Sequence, residues 1–123
     1  MAERVVVTGL GAITPVGNDV QSSWTSLLAG KSGIGMISSF DASAFPARIA
    51  GEVRGFDPGA AVGKKEARRM DRFVQMAVAA TNEAMQDSGL LIDASNADRV
   101  GVIYGSGIGG IATLMEQARV LDA

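Results

Sequence analysis

The sequence predicts an α/β fold in which strands alternate with helices around a parallel sheet, and three observations carry that expectation. Residues 4–8 and 99–104 are short β-branched runs, apolar without alternation, as strands buried on both faces of a parallel sheet are. Each run is followed by a glycine-containing turn and then by helical apolar spacing. Sixteen glycines against 5% aromatics suit tight strand-to-helix turns and close helix packing.

In chain order, residues 4–8 form the first predicted strand, which stops at Gly9. Asn18 is the predicted N-cap of a helix, with Gln21 at the capping-box position. Val20, Trp24, Leu27 and Leu28 then fall on one helical face, and Gly30 follows as the C′ residue. Residues 31–63 are irregular, with Pro46 and Pro58, and read as a long connection holding one strand near 47–53. A long helix is predicted over about 70–88, with Phe73, Val74, Ala77, Thr81 and Ala84 on one face and Gly89 as its stop. The second buried-type strand, 99–104, leads through Gly105, Gly107, Gly109 and Gly110 into a third helix whose face is Ile111, Leu114, Met115 and Ala118. Two central strands and no closing strand make a complete core hard to build. A fragment, or a chain that finishes its sheet with a partner, is expected.

Composition narrows the chemistry. With 47% apolar and 20% charged residues the chain is globular rather than disordered. A net charge of −2 favours neither nucleic acid nor a membrane surface. There is no Cys and no His, hence no thiol nucleophile, imidazole base, disulfide or Cys-based zinc site within these 123 residues. The first 17 residues lack a basic leader region and are too short to span a bilayer, so a cytoplasmic location is expected.

Three glycine patterns invite a nucleotide. Gly9-Leu10-Gly11 follows a predicted strand, but Thr14 replaces the third glycine and Pro15 disrupts the helix start. Gly30-Lys31-Ser32 ends like a phosphate-binding loop, yet Thr25 stands where that loop needs its first glycine. Residues 105–110 do satisfy G-x-G-x-x-G between a strand and a helix. They read either as a dinucleotide turn or as glycines that let the backbone turn and a helix pack closely. Ser32 misses the nucleophile-elbow pattern and has no His to activate it, and Glu83 and Asp87, at i and i+4, read as exposed surface rather than a catalytic pair.

The charge pattern is the most informative. Lys64, Lys65, Arg68, Arg69 and Arg72 place five of eleven basic residues within nine positions. One-turn spacing predicts a shared face for Lys64, Arg68 and Arg72. Such a run reads as solvated surface or as a docking patch for an acidic partner. A nucleic-acid interface fits poorly, because no base-stacking aromatics are interleaved.

Together these segments resemble the β-ketoacyl-acyl-carrier-protein synthases of fatty-acid synthesis, synthase II type. The stretches that carry the resemblance are residues 5–17, 28–34, 64–71, 87–90 and 105–110, in family order over the whole chain. Tyr104 is bulkier than the resemblance leads one to expect. The resemblance implies the N-terminal part of a thiolase fold, a five-layer α/β/α/β/α sandwich, with residues 1–123 supplying part of the first thiolase-like half. It implies a homodimer. It also implies the reaction: a cysteine takes an acyl chain from an acyl carrier protein, malonyl on a second carrier loses carbon dioxide, and the carbanion attacks the thioester. Two histidines stabilise the developing charge.

Carried over by position, Lys65, Arg68 and Arg69, with Lys64 beside them, match the docking surface for the acidic carrier, and Ile108 matches a residue at the acyl-chain pocket. No catalytic residue is carried over, and no cofactor, metal, nucleic acid or membrane is implied. A chain ending at Ala123 is expected to be inactive by itself. The rival readings are a nucleotide-binding oxidoreductase fragment built on Gly105 to Gly110, a non-catalytic carrier-docking module and a chain-length partner subunit.

Overall fold

The first helix, α1, spans Val20–Leu28, and its two ends show how local chemistry sets its length. A computed structural model describes residues 3–122; Met1, Ala2 and Ala123, at the ends of the predicted 1–123 span, lie outside the described residues. Asp19, not Asn18, is the N-cap: its carboxylate accepts the Ser22 N–H at 2.6 Å. That N–H holds the Asp19 carboxyl below the ordinary carboxylate range. The Asn18 amide is engaged elsewhere, donating to the Arg54 carbonyl at 3.0 Å. At the other end Gly30 takes φ +65° as predicted, so its N–H reaches the Leu27 carbonyl and the Lys31 N–H reaches that of Ser26.

The apolar face predicted for α1 is largely exposed. Ser23 and Ser26 are buried, whereas Trp24, Leu27 and Leu28 are 57%, 57% and 72% exposed. The cause is the turn at residues 14–17. The Ser23 hydroxyl lies 2.8 Å from that of Thr14 and donates to the Gly17 carbonyl at 3.1 Å, fastening the small polar side of the helix inward.

The sheet also departs from expectation. Strand β1 (Ile34–Met36) pairs antiparallel with β2 (Ile49–Gly51), in the register Ile34↔Gly51, Gly35↔Ala50 and Met36↔Ile49. β2 lies inside the predicted 47–53; β1 was not anticipated. Residues 4–8 and 99–104 join no ladder among the described residues. A parallel strand exists only through its neighbours, and Val5 and Ile103, each 96% exposed, have none there. Arg99 belongs instead to a 3₁₀ turn over Ala97–Arg99. Beside β2, Glu52 accepts the backbone N–H groups of Ser38 and Ser39 and the Ser38 hydroxyl. The Ser38 and Ser39 bonds pull its carboxyl from 4.5 down to about 2.

Two short helices precede the long one. α2 (Pro58–Val62) is capped by Asp57, with proline in its first turn, and α3 (Lys64–Ala67) starts just past Gly63. The long helix α4 covers Arg72–Ser88 and ends at Gly89 in the left-handed conformation, φ 63°. Residues 68–71 interrupt helicity between α3 and α4. Gln75 clamps this break by donating to the carbonyls of Ala67 and Met70 at 2.8 and 3.0 Å. The last helix, α5, spans Ile111–Leu121.

The buried apolar residues are small: Ala42, Ala67 and Ala80, with no large side chain fully buried among the described residues. The accessible surface is 9762 Å², against about 6,200 Å² for a closed domain of this mass. Broad apolar faces on α1, α5 and the two unpaired segments stand open.

Candidate functional site

The basic cluster divides in two. Lys64 and Lys65 lie on α3, Arg68 caps its end and Arg69 follows in the turn, and all four are exposed. None of them forms an ion pair among the described residues, where the pair formed is Arg54–Glu52 at 3.5 Å. Arg72 is different. Its guanidinium donates to the Val53 carbonyl at 3.0 Å and lies 5.7 Å from the Phe56 ring centroid, so it ties α4 to the preceding loop. The helical face predicted to join Arg68 to Arg72 is interrupted by the break at 68–71. What remains is a compact four-cation surface on α3 and its following turn, with α3 packed on α2 and α2 on α4.

The first glycine segment is a packing joint. A Cβ on Gly9 would overlap the Ala84 carbonyl, and one on Gly11 would overlap that of Ala80, so the chain lies directly on the α4 backbone. Two carboxylates of α4 then fasten it. Asp87 accepts the Leu10 N–H at 2.8 Å, and Glu83 accepts the Ala12 N–H at 2.9 Å and the Val20 N–H at 2.8 Å. The last bond satisfies an otherwise unpaired N–H in the first turn of α1, where negative charge is favoured. Backbone donors that a pyrophosphate would need are thus engaged by the protein's own carboxylates. Glu83 and Asp87 are staples, a role the sequence reading missed; two i, i+4 carboxylates facing a glycine segment were the available signal.

The second glycine segment is open. A Cβ on Gly105 or Gly107 would meet nothing within 4 Å, while Gly109 sits at φ +74° beside the Phe73 ring. Gly110 has no room for a Cβ because the Asp71 carboxylate occupies that space, and the Thr113 hydroxyl donates to Asp71. A carboxylate at the start of α5 stands where a dinucleotide fold would place its phosphates, so the nucleotide reading loses its electrostatic basis. Ile108 is 75% exposed on this turn.

Between the two segments lies an apolar cleft of about 440 Å³, walled by Ala12, Ile13, Phe73, Met76 and Tyr104. The Tyr104 hydroxyl stands 3.4 Å from that of Thr81, which links residues 99–104 to α4 and gives the bulky side chain its anchor. Ile108 does not line this cleft. Among the described residues no three metal-ligating side chains converge, and no helix is long and apolar enough to cross a membrane.

Known proteins place this arrangement. The family model for the beta-ketoacyl synthase N-terminal domain matches residues 2–122. The chain is 50% identical over 119 residues to 3-oxoacyl-[acyl-carrier-protein] synthase 2 of Synechocystis, covering 97% of this chain and 29% of that protein. It is 56% identical over 108 residues to the Vibrio harveyi protein of the same name, covering 88% and 26%. Among solved structures, the ishigamide ketosynthase/chain length factor superposes with a TM-score of 0.69 at 34% identity, over 95% of this chain and 30% of that one. The chain therefore spans between a quarter and a third of the length of these relatives. Its helices and small sheet are a partial domain of the thiolase-like ketosynthase fold, as the sequence predicts. With the model of the N-terminal domain matching almost its whole length, the chain belongs to the beta-ketoacyl synthases.

Proposed function

We propose that this chain is the N-terminal portion of the first thiolase-like half of a β-ketoacyl-acyl-carrier-protein synthase. That enzyme catalyses the decarboxylative condensation of malonyl-carrier protein with an enzyme-bound acyl thioester in fatty-acid elongation. The 123 residues contain neither Cys nor His, so the nucleophile and the two histidines are supplied from outside them. Homodimerisation and a cytoplasmic location belong to the same reading. The open apolar faces of α1, α5 and residues 4–8 and 99–104 suit contact with the rest of such an enzyme.

Within this reading Lys64, Lys65, Arg68 and Arg69 dock the acidic acyl carrier protein, and Ile108 belongs to the acyl pocket. The observation that supports docking is the exposed four-cation surface without carboxylate partners among the described residues, which leaves its field available to an acidic partner. Triple charge reversal at Lys65, Arg68 and Arg69 in the full-length synthase is expected to weaken carrier affinity at least tenfold, with the largest effect at low salt. Surface plasmon resonance at two ionic strengths measures it; unchanged affinity would remove the docking assignment. The ketosynthase/chain length factor neighbour keeps a non-condensing partner subunit as the second reading. A following sequence without a cysteine at a strand-to-helix turn would favour it.

A further inference from the structure

Asp71 is placed as an N-cap but does not act as one. It precedes α4 with extended backbone, φ −62° and ψ 154°, yet its side chain makes no capping bond to that helix. Aspartate is among the best N-cap residues, and a cap bond stabilises a helix by about 1 kcal/mol. The carboxylate is turned instead to the start of α5, where it accepts from the Thr113 hydroxyl and fills the space beside Gly110. Thr113 is the third residue of α5, so negative charge is also favoured there.

The position of Asp71 in the chain gives this contact its meaning. Arg68 and Arg69 lie three and two residues before it, in the break that Gln75 clamps through the Ala67 and Met70 carbonyls. Ile108 lies two residues before Gly110, on the turn the carboxylate braces. Phe73, two residues after Asp71, supports the same turn, with ring atoms 3.7 and 3.8 Å from a Cβ on Gly109. Within the turn the Ser106 hydroxyl accepts the Gly109 N–H at 3.0 Å, whereas a Cβ on Gly105 or Gly107 would meet open space and Ile108 is exposed. A displacement of the basic turn thus reaches the Ile108 turn through one side chain and one hydroxyl.

We infer that Asp71 is a positioning residue that, through Thr113, couples the basic docking turn at 68–69 to the glycine turn bearing Ile108. The inference rests on the docking and pocket roles proposed above. Contiguous hydrogen-bonded contacts of this kind are the physical carriers of coupling between sites. A carrier protein seated on Arg68 and Arg69 would order the Asp71 bridge, and with it the turn at the acyl pocket.

The test is amide hydrogen exchange of residues 105–113 in the full-length synthase, with and without saturating acyl carrier protein. In the wild type, carrier binding is expected to slow exchange there on the order of fivefold, the scale of one hydrogen bond made firm. Thr113→Val should abolish that slowing while carrier affinity stays within twofold, and Thr113→Ser should restore it. Asp71→Asn provides a second route, removing the charge while keeping an acceptor, and should reduce the slowing. Equal slowing in wild type and Thr113→Val, with affinity that still responds to charge reversal, overturns the bridge alone. No slowing in the wild type under saturating carrier overturns it too. Affinity indifferent to charge reversal at Lys65, Arg68 and Arg69 overturns the docking reading and this inference together.

Discussion

The two glycine segments have nearly the same lettering and opposite physics. Gly9 and Gly11 lie against the α4 backbone, with the N–H groups between and beside them captured by Asp87 and Glu83. A Cβ on Gly105 or Gly107 would meet nothing within 4 Å, and their turn is braced near its end by Ser106, Phe73 and Asp71. In the first, glycine is needed because another backbone occupies the side-chain position. In the second, it leaves a turn free to be positioned. A glycine pattern therefore carries no function until its surroundings are known: the first segment has its donors engaged by carboxylates, and the second has the Asp71 carboxylate where a dinucleotide's phosphate would sit.

Substitutions can break or sharpen that contrast. The largest expected effect is from Gly11→Ala, since the new methyl would overlap the Ala80 carbonyl and approach the Ala84 nitrogen to 2.8 Å. Neither partner is a flexible side chain, and a loss of about 3 kcal/mol is expected in urea unfolding of the full-length synthase. Next comes Glu83→Ala, which leaves the half-buried Ala12 and Val20 N–H groups without acceptors. It should cost about 2 kcal/mol and speed amide exchange at both positions. The smallest effect is predicted for Gly107→Ala, where φ is unexceptional and the space is open; its unfolding midpoint should move by less than about 0.5 kcal/mol in stability. A large loss at Gly107 would show that the second segment is a packing joint like the first.

The same contrast explains what the sequence revealed and what it concealed. Helix ends were legible because they depend on local chemistry: Gly30 and Gly89 adopt the left-handed conformation expected of them. The cap moved by one residue because the Asn18 amide is drawn 36 residues away to Arg54, which no local rule contains. Residues 4–8 and 99–104 carry strand-like composition, but strands are made by their neighbours. The exposure of the apolar face of α1 has a related cause: the Thr14 and Ser23 hydroxyls and the Gly17 carbonyl hold the polar side of the helix inward, and nothing among the described residues covers the apolar stripe. In the candidate site, the clustering of basic residues at 64–72 was legible in the sequence, while the set of Lys64, Lys65, Arg68 and Arg69 followed from the resemblance and not from helical spacing. The diversion of Arg72 to Val53 and Phe56, and the roles of Glu83, Asp87 and Asp71, are contacts across long sequence separations and had to be seen in three dimensions.

The orientation of α1 has a practical consequence. Trp24 is the sole tryptophan of the sequence, and it stands on the uncovered side of the helix, beside Leu27 and over an apolar hollow shared with Leu10 and Val20. The molecule thus carries its own optical gauge of assembly: indole emission shifts to the blue and resists iodide quenching when that side of α1 is sheltered from water, with no label required.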